Sequence, residues 1–273
     1  MNETSDVSAD LCAYEVDDAV AILSFNRPES MNGMTGNMEV AYFERLRQAE
    51  ADDDVRVIVL TGKGRGFCPG ADLAHEAGTD DHSLPNRTIP RTTPLDIAKP
   101  MIAAINGACA GVGLAYALQC DVRFAARGVK LTTAFARRGL IAEYGMGWLL
   151  DRIAGRAVAL DLLLSGRVIL ADEAARLGIV NDVVEPDELM TRVFAYAADL
   201  AVNVSPASMA TIKHQLNTEP ELSAHDALAN AEALMAESLA GADVAEGVGS
   251  FLERRQVDFP PLGRGTRFGW MDR

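Results

Sequence analysis

Twenty-five basic residues against 39 acidic ones leave this 273-residue chain at −14, with 49% of its residues apolar and 6% aromatic. A chain of that length and composition buries a large core as one domain, or one domain with an appendage, and large-scale disorder is excluded. A pI near 4.7 argues against nucleic acid and anionic membranes as partners, because a polyanion is held by a basic surface that releases counterions; a small anionic molecule gripped by a few local Arg or Lys stays open.

Residues 1–12 read as a frayed, acidic leader without the basic and apolar regions of a secretory signal. Residues 270–273 hold no peroxisomal or retention tripeptide, so a cytoplasmic location is the expectation. Residues 19–25 are apolar enough for a strand, which Asn26-Arg27-Pro28 ends. Met38, Tyr42, Leu46 and Ala49 recur at helical spacing and predict an amphipathic helix over 37–50, followed by a charged turn at 52–54. VRVIVL at 55–60 predicts a buried strand, the Gly-rich run 61–70 a turn, and Asp72 the N-cap of a short helix. The stretch 78–94 is polar, has three prolines and reads as a loop.

A strand at 101–105, a helix at 111–118 and a strand at 121–125 follow. Residues 100–120 carry no charge and approach the length of a membrane span, but Asn106-Gly107, Gly111 and Gly113 break the run, which reads as strand, turn and buried helix. This alternation makes the core α/β. From about residue 186 the pattern turns helical: Leu189, Val193, Phe194, Ala197 and Leu200 mark one helix, Pro206 opens a second, and Leu228, Ala231, Met235 and Leu239 mark a third. The expected organisation is a leader over 1–12, a core over 13–204 and a helical region over 205–273, whose Ala-rich faces meet the core or neighbouring subunits. Cys12, Cys68, Cys109 and Cys120 lack CxxC spacing and read as reduced, buried thiols. His75, His82, His214 and His225 are scattered, so no metal site is predicted.

Two strand-to-helix turns stand out. The first, Gly62-Lys63-Gly64-Arg65-Gly66-Phe67-Cys68-Pro69-Gly70-Ala71-Asp72-Leu73, fits neither a dinucleotide fingerprint nor a phosphate-binding loop and is by itself compatible with a tight surface loop. The second is Ile105-Asn106-Gly107-Ala108-Cys109-Ala110-Gly111-Val112-Gly113-Leu114-Ala115. Together, two such turns can bring two backbone N–H groups to one point beside a helix start, an oxyanion hole built from main chain alone.

GKGRGFCPGADL and INGACAGVGLAYALQCD closely resemble the two signature segments of the enoyl-CoA hydratase/isomerase, or crotonase, superfamily. SFNRPESMNGM resembles that family's first-strand exit, FARRGLIAEYGMGWLL its catalytic loop, and LLLSGRVILADEAARLGIVNDVV its later helix, turn and strand. The resemblance implies a ββα spiral core, a C-terminal helical region that forms a homotrimer or a dimer of trimers, and an acyl-CoA thioester substrate, with CoA as part of the substrate and no separate cofactor. It implies Ala71 N–H and Val112 N–H as oxyanion-hole donors, Val112 standing where many members have Gly. Ser30, Met31, Ala71, Asp72 and Leu73 would line the CoA path. Lys63 and Arg65 are candidates for its phosphates or plain exposed loop charges.

The two glutamates with which hydratases of the family hold water fall here on Ala115 and Phe135, neither of which moves a proton. A third position used in the superfamily, four residues after Gly139, is Glu143, a pattern similar to the single-glutamate enoyl-CoA isomerases. From the residues alone Glu143 is a surface or capping acid before a helix at 145–150; the resemblance gives it the acid/base role, in an acyl pocket with Ala115, Phe135, Ile141 and Trp148. Tyr116 and Tyr144 read as packing residues, His75 and Glu76 as a solvated helix face, and Arg137 and Arg138 as surface or interface charges. The expected reaction is a double-bond shift in an enoyl-CoA. Open beside it are a hydratase or other lyase or hydrolase that recruits Glu143, and a non-catalytic acyl-CoA binding protein.

Overall fold

Three times along the chain a longer apolar strand is followed, after a tight turn, by a three-residue strand. In the computed structural model, which describes residues 11–72 and 89–272, these pairs are β3 (Val57–Gly62) with β4 (Gly66–Cys68), β5 (Met101–Ile105) with β6 (Ala108–Ala110), and β7 (Val122–Ala126) with β8 (Lys130–Thr132). The first member of each pair enters a large sheet and the second a small one. With β1 (Cys12–Asp17), β2 (Val20–Phe25), β9 (Ile169–Leu170) and β10 (Asp182–Val184), the large sheet has the order β1-β2-β3-β5-β7-β10 and the small one β4-β6-β8-β9. Pairing is parallel from β2 onward in the large sheet and from β4 to β8 in the small one, while β1 and β9 close edges antiparallel. Parallel strands covered on both faces are apolar throughout, and β3 and β5 are buried at every residue. This is the ββα spiral.

Two features of the sequence reading change. CAYEVD forms β1, whose outer residues are exposed and whose partner is β2 with Cys12 opposite Phe25. Cys12 is fully buried and belongs to the core, not to the leader. The Gly-rich run is not all turn, since Gly66–Cys68 is a buried strand beside β6. The helix expected after Asp72 lies outside the described residues.

α1 (Gly36–Ala51) begins at Thr35, whose Oγ1 accepts from Met38 N at 3.3 Å. α2 (Thr93–Asp96) precedes β5, and α3 (Val112–Gln119), buried along its whole length, follows β6. Phe25, Tyr42, Phe43, Phe67 and Tyr116 form one ring cluster, with Tyr42 and Tyr116 centroids 5.0 Å apart, that locks α1 and α3 to the first strands. α4 (Met146–Ala154), α5 (Arg156–Ser165) and α6 (Ala171–Arg176) then lead to β10. α7 (Leu189–Asn203) lays Leu189, Val193, Ala197 and Ala201 on the large sheet.

α8 (Pro206–Thr218), α9 (Ala224–Leu239) and α10 (Ala242–Glu253) make up the C-terminal region. Arg56, just before β3, donates to Phe259 O of this region at 2.6 Å and to Ala201 O at the end of α7 at 3.0 Å. Leu216, Leu228, Leu239, Phe251 and Leu252 on these helices stand exposed in the single chain. The described residues contain no helix long and apolar enough to cross a membrane.

Candidate active site

The corner after β2 is built by Asn32. Fully buried, it accepts the Arg27 N–H on Oδ1 at 2.8 Å and donates through Nδ2 to Lys63 O at 3.0 Å and Gly66 O at 2.7 Å. That fastens residues 27–34 onto the first Gly-rich turn. Met31 and Asn32 are both left-handed, φ 55° and 65°, a conformation that costs about 1–3 kcal/mol in a residue with a side chain and persists only where the surroundings hold it. Arg27 Nη1 completes the corner, donating to Gly33 O at 2.5 Å and pairing with Asp72 Oδ2 at 3.0 Å. Met34 N donates to Gly70 O and Asp72 N to Met34 O, both at 2.8 Å. These bonds leave Ala71 between them with its N–H directed away.

Asn106 performs the same service for the second turn. Its Nδ2 donates to Gly62 O at 2.8 Å and Gly64 O at 3.0 Å, joining the end of β5 to the first turn. Two glycines then set the approach of the main chains. Gly111, at φ 51°, turns the chain into α3. Gly113 lies so close to the first turn that a Cβ there would stand 2.1 Å from Cys68 O. Gly70 in turn is close enough to Ala110 O that its Cβ would sit 3.4 Å away. The residues that follow Gly70 and Gly111 are Ala71 and Val112, and among the described residues neither backbone N–H has a hydrogen-bond acceptor. Val112 is the first residue of α3, where an N–H lacks an intrahelical partner and the helix dipole adds positive potential.

Replacing Gly113 with Ala should therefore force α3 away from the first turn, since the obstacle is backbone and cannot swing aside. Overpacking of this kind costs about 1–3 kcal/mol or somewhat more, to be read as a fall in Tm. Gly249→Ala in α10, whose Cβ meets only the Arg255 Nη2 tip at 3.9 Å, should instead raise stability by about 0.5–1 kcal/mol.

The third wall is the segment after β8. Phe135 is buried, with Cε1 3.9 Å from where a Cβ on Gly111 would be, so its ring stands against the second turn. Ala115 is fully buried on α3. Glu143 is half-buried; its carbonyl accepts Met146 N at 2.9 Å, and no described residue holds its carboxylate. The residue after it, Tyr144, is left-handed at φ 55° and stacks edge-on against Tyr116 with centroids 5.7 Å apart. Tyr116 is one turn beyond Val112 on α3, so this contact joins the loop carrying Glu143 to the helix that starts at Val112. Ile141 is 80% exposed and Trp148 is 42% exposed beneath the Arg152 guanidinium, 4.0 Å from the ring centroid. Of the four expected acyl-pocket residues, Ala115 and Phe135 are buried, and Ile141 and Trp148 stand at the surface of the single chain.

Among the residues expected along a CoA path, Ser30 and Met31 occupy the Asn32 corner and Arg65 Nε lies 3.1 Å from Met31 Sδ. Lys63 Nζ is paired with Glu15 Oε1 at 2.8 Å, while Arg65 makes no ion pair among the described residues. Leu73, His75 and Glu76 lie outside the described residues. Sequence reading missed Arg27 and Asn32 as the frame of the corner, although the dipeptide Arg27-Pro28 and the nearby Asn32-Gly33 turn signal were there to be read. It also missed Glu39 and Arg91, for which no local signal exists. The cysteines are buried, and burial pushes the Cys12, Cys68 and Cys120 thiols up to about 12 and Cys109 well above its ordinary value, so they serve as packing rather than as nucleophiles.

A family model, enoyl-CoA hydratase/isomerase, matches residues 15–261. The chain is 36% identical over 256 residues to the 1,2-epoxyphenylacetyl-CoA isomerase of Escherichia coli, covering 89% of this chain and 96% of that one. A crystal structure of an enoyl-CoA hydratase from Mycobacterium marinum is 48% identical, with a TM-score of 0.68 over 78% of this chain and all (100%) of that one. An enoyl-CoA hydratase structure from Bacillus anthracis has a TM-score of 0.82 at 27% identity, covering 92% and 99% of the two chains. With matching fold, matching motifs and a family model over most of its length, the chain is an enzyme of the enoyl-CoA hydratase/isomerase family.

Proposed function

We propose that this enzyme binds an acyl-CoA thioester and shifts the double bond of its enoyl chain. The observation that carries the reading is the pair of backbone amides, Ala71 and Val112, without acceptors at two glycine turns packed main chain on main chain. A thioester oxygen received there is polarised, which acidifies the neighbouring α-carbon and stabilises the enolate. Glu143 is the proton carrier. Asp72 is tied to Arg27 and Glu39 is buried behind Tyr116, whereas the Glu143 carboxylate is unheld among the described residues.

In the proposed reaction the Glu143 carboxylate takes a proton from C2 of a 3-enoyl-CoA, leaving a dienolate whose negative charge rests on the thioester oxygen between the two amides. The same carboxyl returns the proton at C4, and the product is the 2-enoyl-CoA. No atom is gained or lost, and the proton transfer asks for no cofactor beyond the CoA carried by the substrate. Ala115 and Phe135 stand where, by the family resemblance, hydratases have glutamates, so neither of these two positions supplies a carboxylate to hold a water. For the CoA phosphates Arg65 is the better candidate, since Lys63 already faces Glu15; Ser30, Met31, Asp72 and Leu73 would flank the remainder of the cofactor chain.

Hydration is the second reading, favoured by the name of the Mycobacterium marinum neighbour. Incubation with 3-enoyl-CoA and, separately, 2-enoyl-CoA in heavy-oxygen water separates the two. Migration of the double bond without label is expected; label taken into a 3-hydroxyacyl product with no migration would sink the isomerase reading.

The exposed apolar residues of α8, α9 and α10 support assembly of the chain as a homotrimer or dimer of trimers, because monomers seldom leave such faces open. Sedimentation velocity should show a species of three or six chains, and a monomer at micromolar concentration would refute this. The expected location is the cytoplasm.

A further inference from the structure

We infer that Arg91 is a positioning residue for the reaction: anchored on the buried Glu39, it grips Tyr144 and thereby sets the loop that presents Glu143. The inference rests on the acid/base reading of Glu143 given above. Tyr144 and Gly145 are successive left-handed residues, φ 55° and 70°, and a tyrosine has no intrinsic preference for that region. Something outside the loop must hold it there. Its ring meets Tyr116 edge-on at 5.7 Å and lies against the Arg91 guanidinium, with Cζ 3.9 Å from the ring centroid. Arg91 Nη2 also donates to Tyr144 Oη at 2.7 Å, fixing the ring along its length as well as across its face.

The guanidinium is itself held. Arg91 Nε is 3.5 Å from Glu39 Oε1, and the same carboxylate oxygen accepts the Tyr116 hydroxyl at 2.5 Å. Glu39 is 1% exposed, and a carboxylate so deep stays ionised only against a cation and hydrogen-bond donors. The cluster draws its members from four places in the chain: α1, the segment before α2, α3 and the loop after β8. It touches the helix that begins at Val112 and the residue next to Glu143 at once. Arg91 therefore governs the separation between the proton carrier and the amide that receives the thioester oxygen, without touching the substrate itself.

The test uses the full chain and a 3-enoyl-CoA, with Arg91→Met, Arg91→Lys and Tyr144→Phe. Misplacing a catalytic group by about 1 Å costs about 10²-fold, so Arg91→Met should lower kcat by about that factor with KM held within about threefold. Arg91→Lys, which keeps the charge but not the planar fork, should recover about tenfold of it. Amide hydrogen exchange over residues 140–146 should quicken in Arg91→Met while β5 keeps its protection. In Glu143→Gln the added Arg91→Met change should cost nothing further, because a residue acting through Glu143 has nothing left to position. A kcat within about twofold of the parent in a folded Arg91→Met protein, or a full additive loss in the double variant, overturns the inference. If Glu143→Gln turns over like the parent, the acid/base reading fails by itself, and unchanged exchange over 140–146 would separately refute the grip on the loop. Should Arg91→Met not fold, Tyr144→Phe, which keeps the ring and loses the 2.7 Å bond, carries the same kinetic and exchange readings.

Discussion

Glu143→Gln is expected to lower isomerisation turnover by about 10²- to 10⁴-fold, the contribution of a positioned general acid/base. Gln has the shape of Glu and cannot take up the C2 proton. Because no described residue bonds the Glu143 carboxylate, the substitution breaks no ion pair, so Tm should stay within about a degree of the parent, in line with surface changes of under about 0.5 kcal/mol. KM should also hold, since the amides proposed to receive the thioester are untouched; a loss confined to kcat marks an interaction made in the transition state. Turnover equal to the parent would remove Glu143 from the mechanism. Exchange of the C2 protons into deuterated water, followed by NMR on the parent and the variant, isolates the abstraction step from product release.

The second large effect is expected at Val112. A hole built from main chain cannot be tested by ordinary side-chain replacement, but proline has no N–H. Val112 is the first residue of α3, the one helical position where proline is readily accepted, since its amide lacks an intrahelical acceptor in any case. Gly111 before it, at φ 51° and ψ −121°, is free of the Cβ clash that restricts other residues preceding proline. Val112→Pro should fold and lose about 10²- to 10³-fold in kcat, the usual cost of removing one oxyanion-hole donor. Val112→Ala, which keeps the amide, is the control and should stay close to the parent. Equal activity in the proline and alanine variants would show that this N–H does not stabilise the transition state.

Legibility of the fold from sequence followed strand length. VIVLTG and MIAAI announce themselves because five or six consecutive apolar or small residues can only be covered on both faces. The three-residue strands β4, β6 and β8 are too short for a period to show, and Gly66 in β4 reads as punctuation although it is buried. β1 hid behind its acids: only Cys12 is fully buried, and the exposed Glu15 and Asp17 keep the segment from reading as a strand. The two glycine turns were legible because glycine marks a close approach of main chain in the sequence itself, even where, as for Gly113 against Cys68, the neighbour lies in the other turn. The Glu39, Arg91, Tyr116 and Tyr144 cluster was not, because its members are separated by 25 to 105 positions. Helical spacing places Glu39 on α1 but says nothing of what stands opposite. In sequence Tyr116 and Tyr144 read as packing residues, which their rings are; their hydroxyls, one on Glu39 and one receiving Arg91, do the rest.

Ala115 and Phe135 close a door in sequence space. Ala115 is wholly enclosed and Phe135 is 7% exposed with its ring against the second turn. A lone Ala115→Glu would push a carboxylate into filled volume, while a lone Phe135→Glu would open a hole and leave a charge without its companion. Each single step toward a carboxylate at these positions is thus costly for packing by itself. A carboxylate introduced alone at either position would therefore be opposed by packing, whatever substrate the present chemistry serves.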